Sequence, residues 1–399
     1  MEKSYYKVIL LGLIVLPLLD NLSGAASLPV SLVFRLVILA MAVIPALSER
    51  REKTIALLAL MLLLFFPLVY REMTGVGESF LFYDTSITVK ILYALFLAEG
   101  LIAGLRKKAI TREELEKSAF FMVCLYFLPI VLFHLTGTGL SAYAGGGSTA
   151  FVRAANDLSL LIGILAPLIY HFCKKIKNRI VGLTLLFLYL FSLLLLTTKS
   201  GMIASAMIAF MIFVDLIRSR FRWIAVGFVM AGAVIAVPRF LELSMISRIV
   251  ESYKDIYREY GIWAVLFRGR DIAFLNIPAL ISKMSNYELL FGKGLGRFAE
   301  DFGELSYYYY KNPWKSAEVD QIDLFFSYGI LGSAAIYFYY IKRSVSAFLS
   351  KSSVNLKYSL ILFWIHSIMA GHGITSPIVG TGISIVFALG ACDPEGESL

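Results

Sequence analysis

The chain is built mainly from apolar segments of about 17–25 residues, each long enough to cross a hydrocarbon core of about 30 Å as a helix. Inside a bilayer no water is present to satisfy free N–H and C=O groups, so only helices and closed barrels are available. The segments are continuously apolar instead of alternating with period two, which argues against the barrel. About twelve are read, at approximately 5–20, 28–47, 54–70, 85–104, 119–137, 152–172, 180–196, 201–217, 223–238, 322–341, 358–371 and 376–391. The last two are short and can form one broken pair, which would leave eleven crossings. The composition agrees: 59% hydrophobic and 16% charged residues depart from a soluble domain, at about 45–50% and 25%. The expected fold is all-α, a single polytopic helical bundle over residues 1–399.

The loops between segments alternate in charge. Arg50, Arg51 and Lys53, then Arg106 to Lys117, Lys174 to Arg179, Arg218 to Arg222 and Lys342 to Lys357 fall in every second loop. The short loops between them are nearly free of basic residues, apart from Arg71 and Lys199. Lys and Arg accumulate on the cytoplasmic side of bacterial-type membrane proteins. Both termini are therefore expected in the cytoplasm and the long polar stretch 239–321 outside it. The formal charge of +9 reflects this topology, and no nucleic-acid partner is expected.

Other global signals point to no cofactor. Cys124, Cys173 and Cys392 give neither a disulfide framework nor a metal-ligand spacing, and His366 and His372 are six apart, off the spacing of one helix face. The first apolar run lacks a small-residue cleavage site and reads as an anchor. Gly145-Gly146-Gly147 reads as a flexible loop without nucleotide-binding context. No soluble head large enough for a nucleotide-binding domain is present, so any energy source other than an ion gradient arrives with the substrate.

The 239–321 stretch has its own pattern. Ile246, Ile249, Val250, Tyr253, Ile256, Tyr257 and Tyr260 recur at three- and four-residue intervals among charged residues, as in an amphipathic helix resting on the membrane or the bundle. A second apolar patch, Ile272 to Ile281, contains Pro278, which should start, kink or end its helix. In Gly292-Lys293-Gly294-Leu295-Gly296-Arg297-Phe298, three alternating glycines bare one edge of the backbone, suited to close approach of a ligand or of another helix. Lys293 and Arg297 add positive charge there.

Ionisable residues within apolar segments are costly and normally face a bundle interior or cavity. Arg35 and Lys90 lie in the outer halves of their segments, and Arg153, Asn156 and Asp157 share a face at the outer end of the sixth. Structural pairing, for example Arg153 with Asp157, is the alternative to a shared anion site. Glu318, Asp320 and Asp323 flank the point of re-entry into the membrane. Either they make an acidic helix start, or one of them accepts a proton from a sugar hydroxyl. Tyr307 to Tyr310 and Trp314 suit either sugar stacking or the headgroup zone. His372, in the short last outer turn, is a further substrate-contact candidate.

Thr197-Thr198-Lys199-Ser200-Gly201, Gly269-Arg270, the 292–298 run and Gly329-Ile330-Leu331-Gly332 occur in this order, with a late outer loop. In this the chain resembles the O-antigen polymerase and O-antigen ligase family of bacterial inner membranes. The resemblance implies a helical-bundle (GT-C-like) glycosyltransferase that uses an undecaprenyl-diphosphate-linked saccharide at the periplasmic face without a nucleotide-sugar donor. It implies as partners the lipid-linked oligosaccharide and polysaccharide, membrane lipids, a chain-length regulator and the repeat-unit flippase. Arg270 corresponds to the arginine that the family places early in its large loop and is the leading catalytic candidate, with Glu318, Asp320 and Asp323 as candidate bases. Arg35, Lys90, Arg153, Asp157, Lys199, Lys293, Arg297 and His372 are the substrate-binding candidates. Lys199 and Ser200 stand where the family commonly has a small residue and an Arg. The ligase branch usually has a histidine shortly before the Gly-Xaa-Xaa-Gly span; here 317–323 has none, which favours polymerase over ligase. A polysaccharide or ion transporter is the non-enzymatic alternative, against which stands the lack of an internal helical repeat.

The charge pattern sets a topology test. With cysteines placed singly at Ser285 and Ser352, an impermeant thiol reagent applied from outside should label Ser285→Cys and leave Ser352→Cys unlabelled. The opposite pattern would invert the orientation.

Overall fold

The structure, a computed structural model, describes residues 2–49, 51–74, 80–142, 147–217, 244–267, 270–305, 316–352 and 354–391. Among these the chain is all-helical, with one isolated β-bridge between Thr149 and Phe151. The bundle helices before the large loop are α1 (Glu2–Ala26), α2 (Val30–Leu47), α3 (Arg51–Thr74), α4 (Leu81–Arg106), α5 (Arg112–Leu135), α6 (Ala155–Ile164), α7 (Ala166–Lys175), α8 (Arg179–Leu195) and α9 (Lys199–Ile217). The large loop contributes α10 (Ser244–Phe267), α11 (Asp271–Ser282), α12 (Asn286–Phe291) and α13 (Leu295–Leu305). The bundle closes with α14 (Asp320–Leu349), α15 (Leu356–Met369) and α16 (Pro377–Ala391).

Six helices, α1 to α5 and α14, are long and apolar enough to cross a membrane, and α6 with α7 makes a seventh if that pair, bent by 49°, counts as one span. This is fewer than the twelve expected. Three of the expected segments fold as the shorter apolar helices α8, α15 and α16, 201–217 lies on α9, which is not among the six, and 223–238 lies outside the described residues, as do Gly145, Gly146, Gly269, Tyr307 to Tyr310, Trp314 and Cys392.

The buried centre is the pair α4 and α16. Small residues on α16 let the two backbones approach: Gly380 leaves room for Ala94, the Ser384 hydroxyl donates to the Ala94 carbonyl at 2.7 Å, and Tyr93 and Thr381 share a 3.0 Å hydrogen bond. The outer helices turn large apolar side chains outward, such as Leu11 at 59% and Phe187 at 66% exposure, as a lipid-facing surface requires.

One end of the bundle gathers the basic loops. Glu49 is paired with Lys53 and Arg106, and the fully buried Glu99 takes Lys53, Arg343 and the Tyr339 hydroxyl. Arg112 reaches Ser352 and the Leu389 carbonyl, which fixes the end of α16 at this boundary. From there α15 and α16, of 14 and 15 residues, rise only about 21–23 Å at 1.5 Å per residue. Their connecting turn, 370–376, is packed against the 316–319 turn at the end that carries the large loop, where a Cβ on Gly371 would collide with the Glu318 carbonyl oxygen.

The large loop is tied to the bundle through the glycine run. Lys293 N–H donates to the Phe326 carbonyl at 2.9 Å and Gly294 N–H to that of Ser327 at 3.2 Å. Gly292, at φ +85°, abuts the backbone of Ser327 and Tyr328, and Gly296 abuts the Phe80 ring. Of the two uses open to these glycines, helix packing is the one observed. On the partner side, Gly329 (φ +64°) breaks α14 where it meets Leu290 and Gly292. In a straight helix Tyr337 would stand about 21–26 Å from Asp323 and Asp320, yet it is an electrostatic neighbour of both. The 320–328 segment thus folds back against the span that follows. Pro278 sits inside α11, and α10 is broken at Gly261.

A methyl group on the α-carbon of Gly261, at φ +78°, would meet nothing within 4 Å, whereas one on Gly329 would meet backbone. Gly261→Ala should cost only the left-handed backbone strain, on the order of 1–3 kcal/mol. Gly329→Ala adds a collision and should lower the melting temperature in detergent clearly further. Equal melting temperatures for the two variants would contradict this packing.

Candidate functional site

At the large-loop end the 370–376 turn, the floor of the candidate site, meets the 316–319 turn, its cover. Asp320, at the start of α14, accepts hydrogen bonds from Gly373 N–H at 2.9 Å and Ile374 N–H at 3.1 Å. Asp323, one turn on, accepts from Ala317 N–H and from the Ser316 hydroxyl, both at 3.0 Å. The two buried acids therefore fasten the floor and the cover to the same short helix. Two left-handed residues carry side chains at this junction, Glu318 at φ +55° and His372 at φ +60°, and Gly371 presses on the Glu318 carbonyl, where a Cβ would not fit. Non-glycine residues in this backbone region persist only where the surroundings enforce them, and they cluster at functional sites.

Arg270, the N-cap residue of α11, reaches the 316–319 turn from the large loop. Its Nη2 donates to Glu318 Oε2 at 2.7 Å, the side chains being 11% and 25% exposed. The leading basic candidate and one of the acidic candidates are thus joined. The guanidinium is only partly engaged, since its buried Nε has no hydrogen-bond partner among the described residues. Of the three candidate acids, Glu318 is the accessible one; Asp320 and Asp323 are buried against backbone.

Around the floor stand Asp157, Lys90 and His372. Asp157 accepts from the Ser376 hydroxyl at 2.6 Å and has His372 and Lys90 as electrostatic neighbours. Lys90, half-buried on α4, faces Asp157 and makes no hydrogen bond among the described residues. His372 also faces Asp320 and Asp323. Lys199, at the start of α9, points its ammonium at the Val265 carbonyl of α10, so it lies on the same side as Arg270.

The remaining candidates are engaged elsewhere. Arg35 makes a buried two-pronged pair with Asp20, at 2.6 and 2.7 Å, and Tyr126 donates to the same carboxylate. Lys293 is buried under α13, paired with Asp301 and lying 5.3 Å from the Phe326 ring centroid. Arg297 is exposed beside Glu300 and Asp301, and Arg153 donates to the Ser27 hydroxyl, not to Asp157. Arg35 and Lys293 are thus held in buried pairs, and Arg297 and Arg153 in surface contacts.

Sequence reasoning passes over His366 and Ser200. They are 166 residues apart, yet the Ser200 hydroxyl and His366 Nδ1 are hydrogen-bonded in the bundle interior beneath Arg270. No local spacing announces a pair formed across α9 and α15. Arg71, a stray basic residue in the sequence pattern, bridges Asp84 at 2.7 Å to the Lys293 carbonyl, joining α3 and α4 to the large loop. A separate cavity of about 520 Å³ lies toward the basic end among α7, α8 and α9, lined by Tyr170, Lys174 and Asp215 among others.

The Arg35–Asp20 pair gives a stability test. Losing one partner of a buried pair costs about 3–5 kcal/mol, while replacing both by apolar residues is often neutral. Arg35→Met should strongly destabilise the protein in thermal unfolding, and adding Asp20→Leu should recover most of the loss. If the second substitution compounds the first, the pair is not the reason that Arg35 is buried.

No protein-family model matches the chain, and no curated protein matches it.

Proposed function

We propose that this chain is a polysaccharide polymerase of a bacterial inner membrane. It would transfer a growing glycan from undecaprenyl diphosphate to a second lipid-linked repeat unit at the periplasmic face. The observation that carries this reading is the partly exposed Arg270–Glu318 pair at the large-loop end of an apolar bundle. A lipid-diphosphate sugar needs this combination: a lipid-accessible membrane protein for its tail, a cation for its diphosphate, and a carboxylate near the sugar. The motif order and the missing histidine before Gly329 support polymerase over ligase.

The chemistry follows from the charges. The anomeric carbon already bears a stable anionic leaving group, so a guanidinium can stabilise the charge that grows on the diphosphate. Charge-assisted hydrogen bonds of this kind contribute about 1.5–3 kcal/mol each. Arg270 has donors to spare beyond the one given to Glu318. Lys90 offers a second positive group from α4, and His372 offers the floor a polar contact. A hydroxyl of the incoming unit attacks from the face opposite the diphosphate, inverting the anomeric configuration, and the polymer moves as a block onto the new unit. When the diphosphate competes for Arg270, Glu318 is released toward the incoming sugar.

Arg270→Ala should nearly abolish chain growth on synthetic undecaprenyl-diphosphate repeats while the protein inserts and accumulates normally. Arg270→Lys should regain only part of the activity, because an ammonium keeps the charge but loses the planar fork. Full polymer formation by Arg270→Ala at saturating substrate, with unchanged substrate dependence, would reject the reading of Arg270 as the diphosphate clamp.

A further inference from the structure

Among the described residues two imidazole nitrogens, His171 Nε2 and His366 Nε2, are buried without a hydrogen-bond partner, and His366 is the one whose ring has Arg270 as a neighbour. His366 is 3% exposed near the end of α15. Its carbonyl accepts from Ala370 and Gly371 N–H, at 2.7 and 3.1 Å, which starts the 370–376 floor. Its Nδ1 is hydrogen-bonded to the Ser200 hydroxyl, which fixes the ring plane, while Nε2 is buried and has no partner among the described residues. The electrostatic neighbours of the ring are His372 and Arg270, both at the junction of the large loop with the 370–376 turn. Buried polar atoms are almost always hydrogen-bonded, and each exception calls for an explanation. A hydroxyl of a ligand held by Arg270 would supply one.

We propose that His366 is a proton acceptor for the attacking sugar hydroxyl, held in its working tautomer by Ser200. This rests on the glycosyl-transfer reading above and adds a residue to it. With Nδ1–H donated to Ser200 Oγ, Nε2 keeps a lone pair. The hydroxyl proton passes to Nε2 as its oxygen bonds to the anomeric carbon. The bond from that carbon to the diphosphate oxygen breaks, and its electron pair stays on the diphosphate beside Arg270. The proton then leaves Nε2 for the released diphosphate, restoring the neutral ring. Glu318 then serves to orient the incoming sugar, and its pairing with Arg270 ties that orientation to diphosphate arrival.

Asparagine separates the two nitrogens, since its amide can bond to Ser200 from the position of Nδ1 but offers nothing at the position of Nε2. His366→Asn should lower kcat by about 100-fold or more, the scale of general-base catalysis, with KM and the melting temperature near those of the parent. Ser200→Ala, which frees the ring without removing it, should lower kcat less. His366→Gln, which places an amide near the Nε2 position, tests folding at the same site and should also lack turnover. If the parent protein turns over lipid-diphosphate repeats and His366→Asn keeps kcat within a few-fold, the imidazole is structural and the proposal fails alone. If the parent binds such lipids but transfers nothing, the glycosyl-transfer reading fails and takes the base assignment with it. A loss in His366→Asn that appears in KM or in melting temperature, with kcat kept, also overturns the proposal.

Discussion

Every charge that this bundle buries must be compensated inside it, because the surroundings that stabilise apolar helices offer ions nothing. That requirement organises the structure from one end to the other. At the basic end Glu99 draws in Lys53, Arg343 and Tyr339, tying α3, α4 and α14. Near the middle Arg35 and Asp20 lock α1 to α2, with Tyr126 of α5 as a third member. At the large-loop end Arg71 and Asp84 capture the glycine run, and Lys293 holds Asp301. Asp320 and Asp323 use backbone N–H groups in place of cations, which turns two acids into fasteners for the 370–376 and 316–319 turns. Near these turns, Arg270 and His366 each keep a buried nitrogen without a hydrogen-bond partner among the described residues.

The second organising constraint is length. At 14 and 15 residues, α15 and α16 are shorter than a helix that crosses a bilayer core. Irregular backbone within a bundle is tolerated only where protein or water satisfies it, and in the turn that joins them the Asp320 carboxylate does so for residues 373 and 374.

Apolar runs are local and survive in the fold because lipid favours them wherever they fall, so the helical bundle is legible in the sequence, and each expected segment within the described residues lies on a helix. The amphipathic pattern at 246–260 likewise falls on α10, and Arg270 and Glu318 can each be singled out in the sequence, though not as partners. Pairing across distance is what the sequence hides. Arg35 and Lys293 look like anion binders when their partners, Asp20 and Asp301, are unknown. The 292–298 glycines look equally suited to phosphate or to a helix until Ser327 is found against them. The spacing of His366 to His372 fits no helical metal site, and that test does not see Ser200 on another helix.

The fold-back at Gly329 links these threads. Without a left-handed residue there, α14 would run straight, Asp320 and Asp323 would project away from the bundle, and the turns at 316–319 and 370–376 would lose their common anchor. The glycine run on the other side of the contact is bare for the same reason, since Gly292 and Gly329 meet backbone to backbone. A phosphate-like glycine pattern thus serves the site indirectly: it lets the large loop pack close to the bundle, on the side where Arg270 meets Glu318. The glycines belong to the scaffold, and the positive charge within the glycine run, Lys293, is consumed in holding α13 down.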